Sequence, residues 1–140
     1  MCSRLVQHRL RSDVLERVPA TKDETSQQPI ASAWRPALVH LVASIARDDF
    51  YPERLPPTVD RIRPDVVAQI RDYLREFGET LAELPDACWE SSLSRWMGDH
   101  WDAIIDLWTV ESGASDLVLA VRVYEGQSEH RIDVESVHVP

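Results

Sequence analysis

Trp34, Leu38, Leu41, Val42 and Ile45 fall at i, i+4, i+7, i+8 and i+11. This single apolar stripe predicts a helix over 33–47. Ser32 is placed to cap it, and Pro36 sits in the first turn, where a missing N–H matters little. Asp48 and Asp49 follow, and then Pro52, Pro56 and Pro57 make a stiff extended connection. Val67, Ile70, Leu74 and Phe77 mark a second helix over 64–77. Asp65 lies in its first turn, where the helix dipole favours an anion, and Gly78 stands where the chain must leave the helix. A short helical turn is expected over 79–84, before Pro85. Residues 88–96 fit either a strand or a helix, and 97–100 read as a turn.

Beyond residue 100 the period changes to two. Strands are predicted over 101–110, 115–124 and 130–139, separated by the short glycine-containing loops 111–114 and 125–128. Loops this short force antiparallel pairing. Alternation puts Ala103, Ile105, Leu107, Leu117, Leu119, Val121, Val123, Ile132 and Val134 on one face, which must cover a core. The expected fold is α+β, with two or three N-terminal helices packed on one face of a C-terminal three- or four-stranded antiparallel meander. Residues 1–29 read as an appendage. Leu5, Leu10, Val14, Leu15 and Val18 allow a short helix ended by Pro19, and the aperiodic polar stretch 20–29 reads as a flexible linker. A single domain over 30–140 remains.

The longest apolar run, 117–121, is strand-sized, so no membrane-spanning helix is expected. The basic N-terminus carries no apolar block or cleavage site, which makes the cytoplasm the expected location. Two cysteines, Cys2 and Cys88, do not make a disulfide framework. Residues 1–30 carry five basic and four acidic side chains. From Glu76 onward fourteen acidic residues face only Arg95, Arg122 and Arg131, a net of −11. That balance repels phosphate backbones, so nucleic acid is not an expected partner. It suits a plain solvated surface or, alternatively, the steering of a basic protein partner.

The face opposite the core carries the candidate interaction residues Asp106, Trp108, Asp116, Val118, Arg122 and Tyr124, with Ile104 and Ala120 among them. It is too apolar for bare solvent and too charged for a core. Four of the five tryptophans (Trp89, Trp96, Trp101, Trp108) fall within twenty residues, and beside carboxylates such a cluster either fills the core or walls a cleft. Trp108 stands apart, because alternation turns it away from Leu107. Asp99, His100, Asp102 and Asp106 are the densest titratable group, and an Asp–His pair suits general acid–base work or metal binding. Cys88 with His100 or His138 is a formal nucleophile–base pair, although a lone cysteine in an apolar stretch is ordinarily core. His130 and His138 are eight residues apart, ~26 Å on a straight strand, too far to share an ion. No metal-ligand spacing, nucleophile elbow or phosphate loop is present, so no metal or cofactor is expected.

The run from Asp106 through Leu-Trp-Thr-Val-Glu-Ser-Gly-Ala-Ser-Asp-Leu-Val to Leu119 resembles the hallmark of a bacterial domain family of unknown function. Leu55-Pro56-Pro57 and the closing Val137-His-Val139 are similar to further elements of its pattern. The resemblance covers about 34–139 and implies domain limits only, with no activity, cofactor or catalytic residues. The leading expectation is a small acidic protein-binding domain without catalysis, of the kind that immunity proteins and antitoxins exemplify. The alternatives are a small-molecule hydrolase or ligand-binding domain using Asp99, His100, Asp102 and Asp106, and a homo-oligomeric regulatory domain. An enzyme requires a pocket joining His100 to a perturbed carboxylate, and a docking domain requires an open, partly apolar patch.

Overall fold

A computed structural model describes residues 17–140; the helix expected before Pro19 lies almost wholly outside them. The first apolar stripe forms helix α1, Arg35–Ala46. Trp34, Leu38, Leu41, Val42 and Ile45 are all buried. Ser32 does not cap it. A 3-10 turn over Ser32–Trp34 leads into the helix, and the Ser32 hydroxyl accepts a hydrogen bond from the Val18 N–H at 2.6 Å. The preceding strand of chain competes successfully for that oxygen, and Pro36 leaves one fewer N–H in the first turn to satisfy.

Helix α2 is Pro64–Phe77, ended by Gly78 in the left-handed region at φ 79°. Val66 and Ile70 are its buried residues, whereas Val67, Tyr73, Leu74 and Phe77 are partly covered. The core-facing line is therefore centred about one residue earlier than the expected stripe, an ambiguity inherent in the adjacent Val66 and Val67.

Five antiparallel strands follow in sheet order: β1 (Gln28–Pro29), β2 (Leu93–Trp96), β3 (Trp101–Thr109), β4 (Gly113–Tyr124) and β5 (Arg131–His138). The meander thus has two helices and five strands, the fifth being the two-residue β1. The uncertain stretch over 88–96 is neither alternative alone: a 3-10 turn over Asp86–Glu90 precedes β2. All nine residues assigned to the inner face are buried, together with Val137. Between β4 and β5 the register shifts so that Val121 faces Val134 while Ala120 faces Ser136. A second irregularity lies between Asp106 and Trp108, where Trp108 faces Ala114.

The segment over 79–84 is extended rather than helical. β2 pairs only with the first half of β3, so the far end of β3 would leave peptide groups unpaired. Residues 80–82 satisfy them: the Ala82 N–H donates to the Trp108 carbonyl and the Val110 N–H to the Thr80 carbonyl, both at 2.9 Å. The other margin of the sheet is also occupied. The Gln69 amide of α2 exchanges two hydrogen bonds with the backbone of Val137, at 2.7 and 3.2 Å. Thr58 and Asp60 bond both backbone groups of Ile132 at 2.8 Å.

The stretch 20–29, expected as a flexible linker, is held on the sheet. It contains β1, which pairs with β2. The Trp101 indole donates to the Thr21 carbonyl at 2.9 Å, and Lys22 pairs with Glu125 at 2.8 Å. Lys22 also lies 5.1 Å from the centre of the Trp96 ring. Low hydrophobicity concealed these contacts because they are made mostly by backbone groups and by a surface ion pair.

Two outcomes follow from this packing. A chain beginning at Ile30 should melt below one beginning at Arg17 by roughly 6 °C or more, the equivalent of about 2 kcal/mol in a domain of this size; equal melting would mean that 17–29 only rest on the surface. Leu119, fully buried in mid-β4, should lose about 2–5 kcal/mol on Leu119→Ala, measured by urea denaturation.

Candidate interaction face

Both helices contribute their buried residues to the side of the sheet lined by Leu119. The other side carries the residues that sequence alternation assigned to it, arranged in cross-strand rows. In one row Arg95 faces Asp102, Asp102 faces Arg122 and Arg122 faces Asp133. The next joins Leu93, Ile104, Ala120 and Ser136, and a third joins Asp106, Val118 and His138.

The charged row is a chain of ion pairs. His100, in the turn between β2 and β3, has Nδ1 2.6 Å from Asp99 and Nε2 3.0 Å from Asp102. Asp102 stands 3.8 Å from Arg122, which reaches Glu135 at 3.3 Å. Glu135 in turn lies 3.5 Å from Arg63. The Tyr124 hydroxyl beside Arg122, and then Glu135, hold that guanidinium still more firmly protonated. Burial pushes the Asp133 carboxyl upward and Glu135 adds to it, while Arg63 opposes both. Tyr124 is half-buried, its ring 5.4 Å from His100 and 4.5 Å from the Arg131 guanidinium.

Asp106 does not join His100. It lies four residues past Asp102 on the same strand, about 13 Å away, with its backbone N–H bonded to Ser92 Oγ at 2.9 Å. Both ring nitrogens of His100 already meet carboxylates. The cavity that touches Asp102, about 400 Å³, is lined instead by Leu93, Met97 and Ile104, with Arg95 at its side. Among the described residues no group of three or more His, Cys, Asp and Glu is placed to hold a metal ion.

The apolar part of the face differs from the expected one. Val118 is only 4% exposed. Trp108, expected to fill no core site, is half-buried and packs against the hydrophobic cluster, with Gly113 beside its indole. The irregular pairing at Asp106–Trp108 sets Trp108 opposite Ala114 at the start of β4, which strict alternation does not anticipate. Asp116 and Arg122 are exposed. The accessible apolar surface belongs to Leu93 (37%), Ile104 (38%) and Met97 (47%). Ile104 was on the expected face, whereas Leu93 and Met97 were not legible because the bounds of β2 were not.

Cys88 belongs to the core cluster, on the side of the sheet away from His100 and His138. Burial pushes its thiol up to about 11. A reactive cysteine needs the reverse shift, so the formal pair with histidine is not formed.

Residues 42–140 match the family described as Domain of unknown function (DUF7668), and the chain belongs to that family. No curated protein and no solved structure matches it. No helix among the described residues is long and apolar enough to cross a membrane.

The thiol supplies a test of the packing behind this face. With Cys2→Ser removing the other cysteine, Cys88 in the folded chain should react with a disulfide reagent at pH 8 about a hundredfold more slowly than in urea, because a thiol pushed up to about 11 has a thiolate fraction lower by that factor. The raised value also means that the folded chain keeps a proton that the unfolded chain releases. Stability is therefore unaffected below about pH 9 and falls as pH rises towards 11. Cys88→Ala should remove that share of the slope in melts across this range.

Proposed function

We propose that this member of the family is a non-catalytic protein-docking domain that seats a basic partner on the outer face of its sheet. The observation that carries the reading is the convergence of Leu93, Met97 and Ile104 on one cavity of a sheet face that neither helix covers. Exposed apolar side chains gathered in one place mark contact surfaces more often than they occur by chance. Around them Asp99, Asp102, Asp106, Asp116, Asp133 and Glu135 outnumber Arg63, Arg95, Arg122 and Arg131. Apolar anchors surrounded by charge are the usual composition of an interface, with the anchors supplying affinity and the charges orientation and encounter rate. The acidic excess favours a basic partner, and an immunity- or antitoxin-like role towards a basic toxin is one concrete form.

The test is capture and crosslinking of partners from the native host, followed by affinity measurements with the purified partner. Leu93→Ser and Ile104→Arg should leave the melting temperature nearly unchanged. Each should weaken the complex by about tenfold or more, that is ~1.4 kcal/mol or more. Binding of the unaltered chain should weaken as salt is raised. Retained affinity in both variants would remove the reading, and loss of self-association in sedimentation would identify the partner as a second copy.

A further inference from the structure

A second concavity lies on the helical side of the molecule, independent of the sheet face. It is a cavity of about 570 Å³ between the connection after α1 and the first turns of α2, a volume typical of small-molecule sites. Its charged wall consists of Asp48, Arg61 and Arg71, a positive balance in a chain of net charge −9. Its aromatic wall consists of Phe50 and Tyr51, and Tyr51 is 65% exposed.

The two arginines are in different states. Arg61 makes no ion pair or hydrogen bond among the described residues, whereas Arg71 donates through Nε to Asp48 at 2.7 Å. Asp48 is the one non-glycine residue among the described residues with positive φ, at 56°. Aspartate tolerates that conformation better than most residues, but at some cost. The strained backbone aims its carboxylate at Arg71, and this pair holds the guanidinium 5.1 Å from the centre of the Phe50 ring. Asp48 is thereby engaged, so the uncompensated charge of the wall is the cation at Arg61. The Asp48 conformation itself ends α1, where the Asp48 N–H donates to the Ile45 carbonyl and the Asp49 N–H to the Ser44 carbonyl, both at 2.9 Å.

We propose that this cavity binds a small anionic molecule carrying a flat ring, with its anionic group at Arg61 and Arg71 and its ring against Tyr51. An arginine pair suits a carboxylate or a phosphate monoester alike, because both present two or more acceptor oxygens in a plane or fork. An exposed tyrosine contributes ring area with little conformational entropy to lose. A cationic ligand is disfavoured by Arg61, and a purely apolar one would leave that charge unanswered.

The experiment is an NMR titration of the full chain with four probes: benzoate, phenyl phosphate, neutral benzamide and inorganic phosphate. Benzoate, phenyl phosphate or both should shift the amides of Tyr51, Arg61 and Arg71 with a dissociation constant of about a millimolar or less. The tighter of the two identifies the anionic group as carboxylate or phosphate. Benzamide and inorganic phosphate should bind at least about tenfold more weakly than the better ring-bearing anion. Arg61→Ala and Tyr51→Ala, both at exposed positions, should keep the melting temperature and lose about tenfold in affinity. The proposal is overturned if neither aromatic anion binds, if the neutral or ringless probe binds equally well, if the shifts map elsewhere, or if a folded Arg61→Ala chain binds as before.

Discussion

The pairing of β3 with β4 governs the rest of the molecule. These two long strands put Ala103, Ile105, Leu107, Leu117, Leu119, Val121 and Val123 on one side. Both helices must cover that side, because no other surface removes as much apolar area from water. Everything else is a consequence of length. β3 outruns β2, so residues 80–82 are drawn alongside it. Since two helices suffice for the inner side, the outer one is left to ion pairs and a few apolar side chains.

The helices and the three long strands were legible because each repeats one period over most of its eight to fourteen residues, and burial of one face enforces that period. What escaped notice was held by backbone groups. Residues 17–29 and 80–82 join the sheet through main-chain hydrogen bonds that leave no mark on the pattern of apolar positions. Ser32 is an instructive case: a hydroxyl before a helix ordinarily serves as its cap, yet here a segment fourteen residues upstream takes it. Strict alternation also has no means of announcing an irregularity, and the one between Asp106 and Trp108 tucked a tryptophan against the core.

Sites were less legible than elements for a related reason. Asp99 and His100 stand in the β2–β3 turn and Asp102 at the start of β3, so their meeting follows from local geometry. Asp106 is close in sequence but on a straight strand, where four residues mean separation rather than proximity. Leu93 and Ile104 are register partners, so their patch depends on where β2 begins, which composition left open. Tyr51, Arg61 and Arg71 belong to three different segments, and only the tertiary fold assembles them. Side chains gathered from distant segments carry no spacing signature, and this is the general reason that a binding surface without a motif hides in a sequence.

A protein that displays Leu93, Met97 and Ile104 on a bare sheet face runs a hazard, because such surfaces invite stacking into fibrils once a strand margin is free to template a neighbour. Here the margin at β5 is stoppered by the Gln69 amide, a side chain with the same donor and acceptor as a peptide bond, and by Thr58 and Asp60. The opposite margin ends in a strand only two residues long, one of them Pro29. The adhesive face is thereby uncoupled from strand-to-strand growth. With both margins closed, strand addition is blocked, and the exposed side chains of the face are what another molecule would meet.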